Sequence, residues 1–137
     1  MIAHLAAVKT HLGPLGYTAH LVWAPEVTGQ YLVLGGRAWE RPRESPLSGL
    51  TDDLDTDLRI TAVTGTPEGA SIMLARVRAL LSPQLDETRV PMAGRDVRVR
   101  FERSEFLTVD QDQVITGTSR HPAVGVDTYR LTSQPSP

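Results

Sequence analysis

Hydrophobic and polar positions alternate most strictly in residues 54–62 of this chain. Because successive side chains of a strand point to opposite faces, this alternation predicts a strand with one buried face. Weaker alternation in residues 97–101 and 124–131 predicts two more strands, and the apolar run 31–34 predicts a buried strand before them. Residues 15–23 are broken by polar and glycine positions, and we predict no element there.

A helical spacing of apolar residues predicts a helix over residues 67–81. Thr66 is the expected N-cap, Pro67 and Glu68 suit the first turn, and Pro83 follows the end. The apolar stripe of this helix consists of Ala70, Met73, Leu74, Val77, Leu80 and Leu81.

A shorter helix is predicted over residues 2–12, ended by Gly13-Pro14. Its packed side is expected to carry Ile2, Leu5, Ala6, Lys9 and Leu12. The order of elements indicates one α+β domain, residues 1–137, with a mixed or mainly antiparallel sheet packed by a central helix and a short N-terminal helix. Residues 90–94 are predicted to form a loop, and residues 132–137 a frayed tail.

A long loop, residues 37–53, separates the first two predicted strands. Compact domains seldom keep a loop of this length unless it is functional or disordered, so we predict a contact loop. It carries the basic residues Arg37, Arg41 and Arg43. Trp39, which lies among them, is a candidate interface anchor. The simpler interpretation is that Trp39 packs onto its own domain.

Two charged sets stand out on the predicted strands. The acidic set is Asp53, Asp55 and Asp57, and the basic set is Arg98 and Arg100. The acidic set is either a solvated strand edge that discourages wrong pairing or one half of an interface. Acidic and basic patches on one subunit allow head-to-tail contacts that close into a ring. Pairing of these charges within the subunit is an equal alternative.

The composition narrows the possible classes of function. The chain has 137 residues, and its 14 basic and 16 acidic residues give a net charge of −2, which offers no electrostatic reason to bind free DNA or an anionic membrane. Thirteen of the 14 basic residues are arginine, a residue favoured at interfaces, although a GC-rich genome is the simpler explanation. We find no apolar run of membrane-spanning length and no signal peptide.

Motifs of known chemistry are also missing from the sequence. There is no cysteine, which excludes disulfides, thiolate metal sites and a cysteine nucleophile. No nucleotide-binding glycine motif, zinc-protease motif or GxSxG motif occurs, and the four histidines are far apart. We therefore predict no catalytic residue, no metal, no cofactor and no enzymatic activity.

Five consecutive features carry a family resemblance over residues 32–131. They are the strand end Leu34-Gly35-Gly36, the Asp-rich strand 53–63, the segment 65–70, the helix 74–81 and the closing strand 126–131. In this order they resemble the tail-terminator and minor tail-component proteins of long-tailed bacteriophages, especially phages of actinobacteria. The helix sequence ARVRALL and the strand sequence VDTYRL are the most telling parts.

This resemblance implies a structural virion protein that forms a six-fold ring at the head-proximal end of the tail tube. Its partners would be copies of itself, the major tail tube protein and the head-completion proteins. DNA would pass through the ring without specific binding, and assembly would take place in the host cytoplasm. The alternatives are another head–tail connector, such as a head-closure or stopper subunit, and a cytoplasmic module that binds a small ligand at the Trp39 loop.

Overall fold

The computed structural model of this protein describes residues 1–27, 29–37 and 53–137. In chain order its elements are α1 (Ile2–His11), β1 (Ala19–Leu21), β2 (Gln30–Gly36), β3 (Leu54–Thr64), α2 (Pro67–Leu81), β4 (Thr88–Met92), β5 (Arg95–Ser104), β6 (Thr108–Val109) and β7 (Ala123–Pro135). Short 3-10 turns follow the two helices, at Gly13–Leu15 and Pro83–Leu85. The α+β class predicted from the sequence is confirmed.

The strands form one mixed sheet in the order β1-β2-β3-β7-β5-β4, and β6 pairs with β7. The pair of β1 and β2 is parallel, and the other pairs are antiparallel. Helix α1 contacts β1 and β2 at one edge and β4 at the other, so the sheet curls around it. Helix α2 lies on β7, β3 and β5 in the middle. We call the side that faces the helices the inner face and the opposite side the outer face.

The alternation that predicted β3 matches its burial in the structure. Leu58 and Ile60 are fully buried on the inner face, whereas Asp55, Asp57 and Arg59 lie on the outer face. Pairing then aligns Leu58 with Tyr129 of β7, and Tyr129 with Phe101 of β5. The two aromatic rings meet edge to face with their centroids 5.6 Å apart, a favourable geometry for an aromatic pair in a core.

Helix α2 has the predicted bounds and the predicted cap. The Thr66 hydroxyl oxygen accepts a hydrogen bond from the Gly69 amide at 3.0 Å, which satisfies one of the free N–H groups of the first turn. Its buried residues are Ala70, Met73, Leu74, Val77 and Leu81. The last turn also holds Arg78, which donates to the fully buried carboxylate of Asp127 at 2.9 Å. The Ser104 hydroxyl donates to the same carboxylate, so this charge ties α2 to β5 and β7.

The predicted packed side of α1 is partly wrong. Leu5 and Leu12 are buried as expected, but Val8 is the third buried residue, and Ile2, Ala6 and Lys9 are exposed. Both edges of the curled sheet contact α1. Val8 is buried because it lies on the side of α1 that packs against the sheet.

Three predictions about strands are wrong as well. Residues 90–94 were predicted to form a loop, but residues 88–92 form β4, in which Val90 is buried. β4 lies at the edge of the sheet, and an edge strand tolerates a proline such as Pro91. The expected frayed tail 132–137 continues β7 as far as Pro135, paired with both β3 and β5. β1 lies in the stretch 15–23, where three residues are too few to show a pattern.

Candidate interface on the outer face of the sheet

The outer face is a polar surface that carries charged side chains of β3, β5 and β7. Both α1 and α2 pack on the inner face, so neither of the two described helices covers the outer side chains of β3, β5 and β7. One end of the outer face is closed by the segment 110–122, which hydrogen-bonds to Val27 through the Thr116 amide at 2.9 Å. Tyr31 and Val63 are buried at this end. Burial and the nearby Asp110 carboxylate raise the pKa of the Tyr31 hydroxyl.

The strand pairing brings the predicted acidic and basic sets to the same surface. Asp57 lies opposite Arg130 of β7, and Arg130 in turn lies opposite Arg100 of β5. One row of charges therefore crosses three strands. The acidic and basic sets are not two separate patches at opposite sides of the subunit, as simple head-to-tail charge pairing would need.

The acidic set is paired within the subunit. The Arg130 guanidinium donates to both carboxylate oxygens of Asp55, at 2.9 and 2.6 Å, which is a bidentate pair. Asp57 lies 3.9 Å from the Arg37 guanidinium, a longer and more exposed contact. β3 is an interior strand between β2 and β7, so the interpretation of the acidic set as a protected sheet edge is wrong.

The two members of the basic set differ in their surroundings. Arg98 donates to Asp96 and to Glu87, each at 3.3 Å. The hydrogen bond from Arg98 lowers the pKa of the Asp96 carboxyl. Arg100 is exposed, and within the described residues it has no hydrogen bond or ion pair. Of the predicted site residues, Arg100 is therefore the one whose charge the described part of the subunit leaves uncompensated.

Part of the predicted site lies outside the described residues. This part includes most of the predicted loop 37–53, and with it Trp39, Arg41 and Arg43. Arg37 follows β2 and Asp53 precedes β3, so the loop starts and ends beside the outer face.

The sequence analysis missed several large apolar side chains that are exposed. Phe106 lies just before β6 and is 95% exposed, and Trp23 is 68% exposed. The other exposed large hydrophobic residues are Ile2, Val22, Ile72, Leu85, Leu107, Val109 and Val114. The sequence contained one sign of this exposure, because Phe106 is a single aromatic residue directly after the polar residues Ser104 and Glu105.

The described residues show no arrangement typical of metal binding. They contain no group of three or more His, Cys, Asp or Glu side chains that could hold an ion. Of the histidines, His4 hydrogen-bonds to Ser133 at 2.9 Å and His121 to the Gln113 carbonyl at 2.7 Å. None of the helices found there is long and apolar enough to cross a membrane.

Comparison with known proteins does not place this chain in a family. No protein-family model matches it, and no curated protein matches it either.

Proposed function

We propose that this protein is a structural virion protein, a tail terminator that forms a ring on the tail tube of a long-tailed phage. The observation that carries the proposal is the charged outer face, on which Arg100 has no carboxylate partner among the described residues. An arginine that a subunit leaves without a carboxylate is suited to bind one on a neighbouring protein. The sequence resemblance supplies the identity of the neighbours: copies of the chain, the tail tube protein and the head-completion proteins.

The mechanism proposed for the ring is steric. One side of the ring binds the last ring of tube subunits, and the other side does not accept a further tube subunit, so growth ends. The bidentate pair of Arg130 and Asp55 links β7 to the start of β3 on the outer face. An exposed charge such as Arg100 would mainly set the orientation and rate of encounter with a neighbouring protein.

Deletion of the gene from the phage tests the proposal. We expect electron micrographs to show tails of uncontrolled length that do not join heads. A plasmid copy of the wild-type gene should restore normal particles. A copy with Leu58→Asp, which places a charge at a fully buried position, should not restore them. This control shows that the folded protein, and not only its transcript, is required.

Two results would decide against a tail terminator. Normal, joined tails in the absence of the protein would contradict any role in the tail. Tails of normal length that fail to join heads would instead favour a head-closure or stopper subunit. The position of the protein in a cryo-microscopy map of the head–tail junction would distinguish these neck proteins directly.

A further inference from the structure

A pocket of about 430 Å³ opens on the outer face, where β2, β3, β7 and β5 lie side by side. Thr128 of β7 is one of the residues that line it. Strand pairing places Arg59 of β3 directly on one side of Thr128 and Arg103 of β5 directly on the other. The pocket therefore holds a hydroxyl group between two guanidinium groups.

The Thr128 hydroxyl is a buried polar group without a partner. Only 2% of this residue is exposed, and within the described residues its Oγ1 has no hydrogen bond. A buried hydroxyl that makes no hydrogen bond costs free energy, so folded proteins seldom contain one. Because Thr128 lines the pocket, a ligand that enters the pocket can supply the missing partner.

Arg103 reaches the outer face because β5 contains a β-bulge. Phe101 pairs with Tyr129 and Arg103 pairs with Thr128, so Glu102 is an extra residue without a counterpart on β7. In strict alternation Arg103 would share the inner face with Phe101. The bulge turns Arg103 outward instead, and bulges that redirect a side chain in this way are frequent next to functional sites.

The two arginines have nearby carboxylates that do not occupy their N–H groups. Arg59 lies 3.7 Å from Glu105 and Arg103 lies 3.8 Å from Glu102, and both distances exceed a hydrogen bond. Both guanidinium groups are also more than half exposed, and ion pairs of this kind contribute little. Within the described residues neither guanidinium has a hydrogen bond, so both keep donors for a ligand.

The rest of the lining leaves room beside Arg59. Gly35 of β2 lies opposite Arg59, and a Cβ atom added to Gly35 would meet no other atom within 4 Å. Val22 and Val33 give the pocket an apolar wall. Asp57 is the one carboxylate among the described lining residues, and it lies 3.9 Å from Arg37.

We propose that this pocket binds a phosphate group, with the Thr128 hydroxyl donating to one oxygen and Arg59 and Arg103 donating to others. Three donors on three adjacent strands suit the oxygens of a tetrahedral phosphate, which point in several directions. A carboxylate has two oxygens in one plane and is held by a single arginine fork. The proposal is independent of the ring proposed above.

Titration of the full-length protein with sodium phosphate tests the site, followed by two-dimensional amide NMR. We expect saturable shifts of the Thr128 and Arg103 signals. Sodium acetate at the same ionic strength should give no saturable shift at these positions. Phenyl phosphate, as a third ligand, distinguishes the free ion from an ester: tighter binding of the ester would show that its organic group contacts Val22 and Val33.

The variant Thr128→Val keeps the shape of the side chain and removes the hydroxyl. We expect its phosphate affinity to fall by about tenfold. Its unfolding temperature without phosphate should stay the same or rise, because the lost hydroxyl has no partner among the described residues. Thr132→Val, on the same face of β7 but outside this pocket, is the matched control and should keep the wild-type affinity.

A second variant does not touch a buried position. Arg103→Gln changes an exposed side chain and should also lower the phosphate affinity by about tenfold. Three results would overturn the proposal: no saturable shift in the wild type, equal binding of acetate and phosphate, or wild-type affinity in both Thr128→Val and Arg103→Gln. An equal loss of affinity in Thr132→Val would show diffuse attraction by the outer face and would overturn it as well.

Discussion

His4 links α1 to the end of β7, where its ring is partly buried. Its Nε2 is 2.9 Å from the Ser133 hydroxyl, to which the Arg95 guanidinium also donates, at 2.5 Å. Its Nδ1 is buried without a hydrogen-bond partner. Burial, the charge of Arg95 and the N-terminal amino group all lower the pKa of His4 from its ordinary value of 6.5.

The lowered pKa of His4 makes stability depend on pH. In the unfolded chain His4 takes up a proton near pH 6.5, but the folded protein resists protonation. The free energy of unfolding is therefore highest above this pH and falls as pH drops through it. We expect urea unfolding to require less denaturant at about pH 5 than at about pH 7.5.

The variant His4→Gln should remove most of this pH dependence, because it cannot take up the proton. His121→Gln, which changes a histidine outside α1, is the control and should retain it. If His4→Gln and the wild type lost the same stability between the two pH values, another group would be responsible.

The roles of two single residues were not predictable from the sequence. Asp127 reads as an ordinary polar position in a strand, and its complete burial depends on Arg78, 49 residues earlier in the chain. The sequence around Phe106 is compatible with a strand, and the exposure of its side chain follows from the position of β6. The environment of each residue is set by contacts between distant segments, which one strand or helix pattern does not contain.

At the scale of the elements, the end of β7 contributes more to the stability of the fold than its position near residue 137 suggests. Ser133 is buried between β3 and β5, opposite Leu54 and Val97. It also accepts the Arg95 hydrogen bond. The last residues of β7 thus hold together three strands and α1.

Truncation should show this directly. Removal of residues 132–137 deletes backbone pairing to both neighbouring strands, and we expect it to lower the free energy of unfolding by roughly 3 kcal/mol or more. Removal of residues 136–137 alone, after the strand, should cost less than about 1 kcal/mol. Urea denaturation of both variants measures the difference. Equal stability of the longer truncation and the full chain would support the frayed tail that the sequence suggested.

The elements with long patterns were predictable and the short ones were not. β3 and α2 each repeat their buried positions several times, so the pattern alone identifies them. β1 has three residues and takes its stability from pairing with β2. β4 contains a proline and precedes Gly94, a combination that is more common in loops than in strands.

At the scale of the whole molecule, the charges of the outer face are arranged by the order of the strands. Acidic and basic sets that are about 40 residues apart in sequence meet on one surface because β7 inserts between β3 and β5. The sequence predicted which residues carry these charges and which side of each strand they occupy. It did not predict their neighbours, because these depend on the strand order.

The pair of Arg100 and Arg130 is the clearest consequence of this arrangement. Like charges directly opposite each other on neighbouring strands destabilise a sheet, and Asp55 compensates only Arg130. The variant Arg100→Glu replaces repulsion by attraction. We expect it to raise the unfolding free energy of the isolated subunit by about 0.5 kcal/mol in low salt, and by less in high salt because of screening.

The variant Arg100→Glu should also assemble less well. At the proposed interface its carboxylate would face a carboxylate of the neighbouring protein, and the two like charges would repel each other. Arg100→Gln, which only removes the charge, should be intermediate in both thermal unfolding and light scattering. A gain in stability together with a loss of assembly would mean that the subunit keeps Arg100 for its partner at the expense of its own fold. A loss of stability in Arg100→Glu, or unchanged assembly, would contradict this role for the outer face.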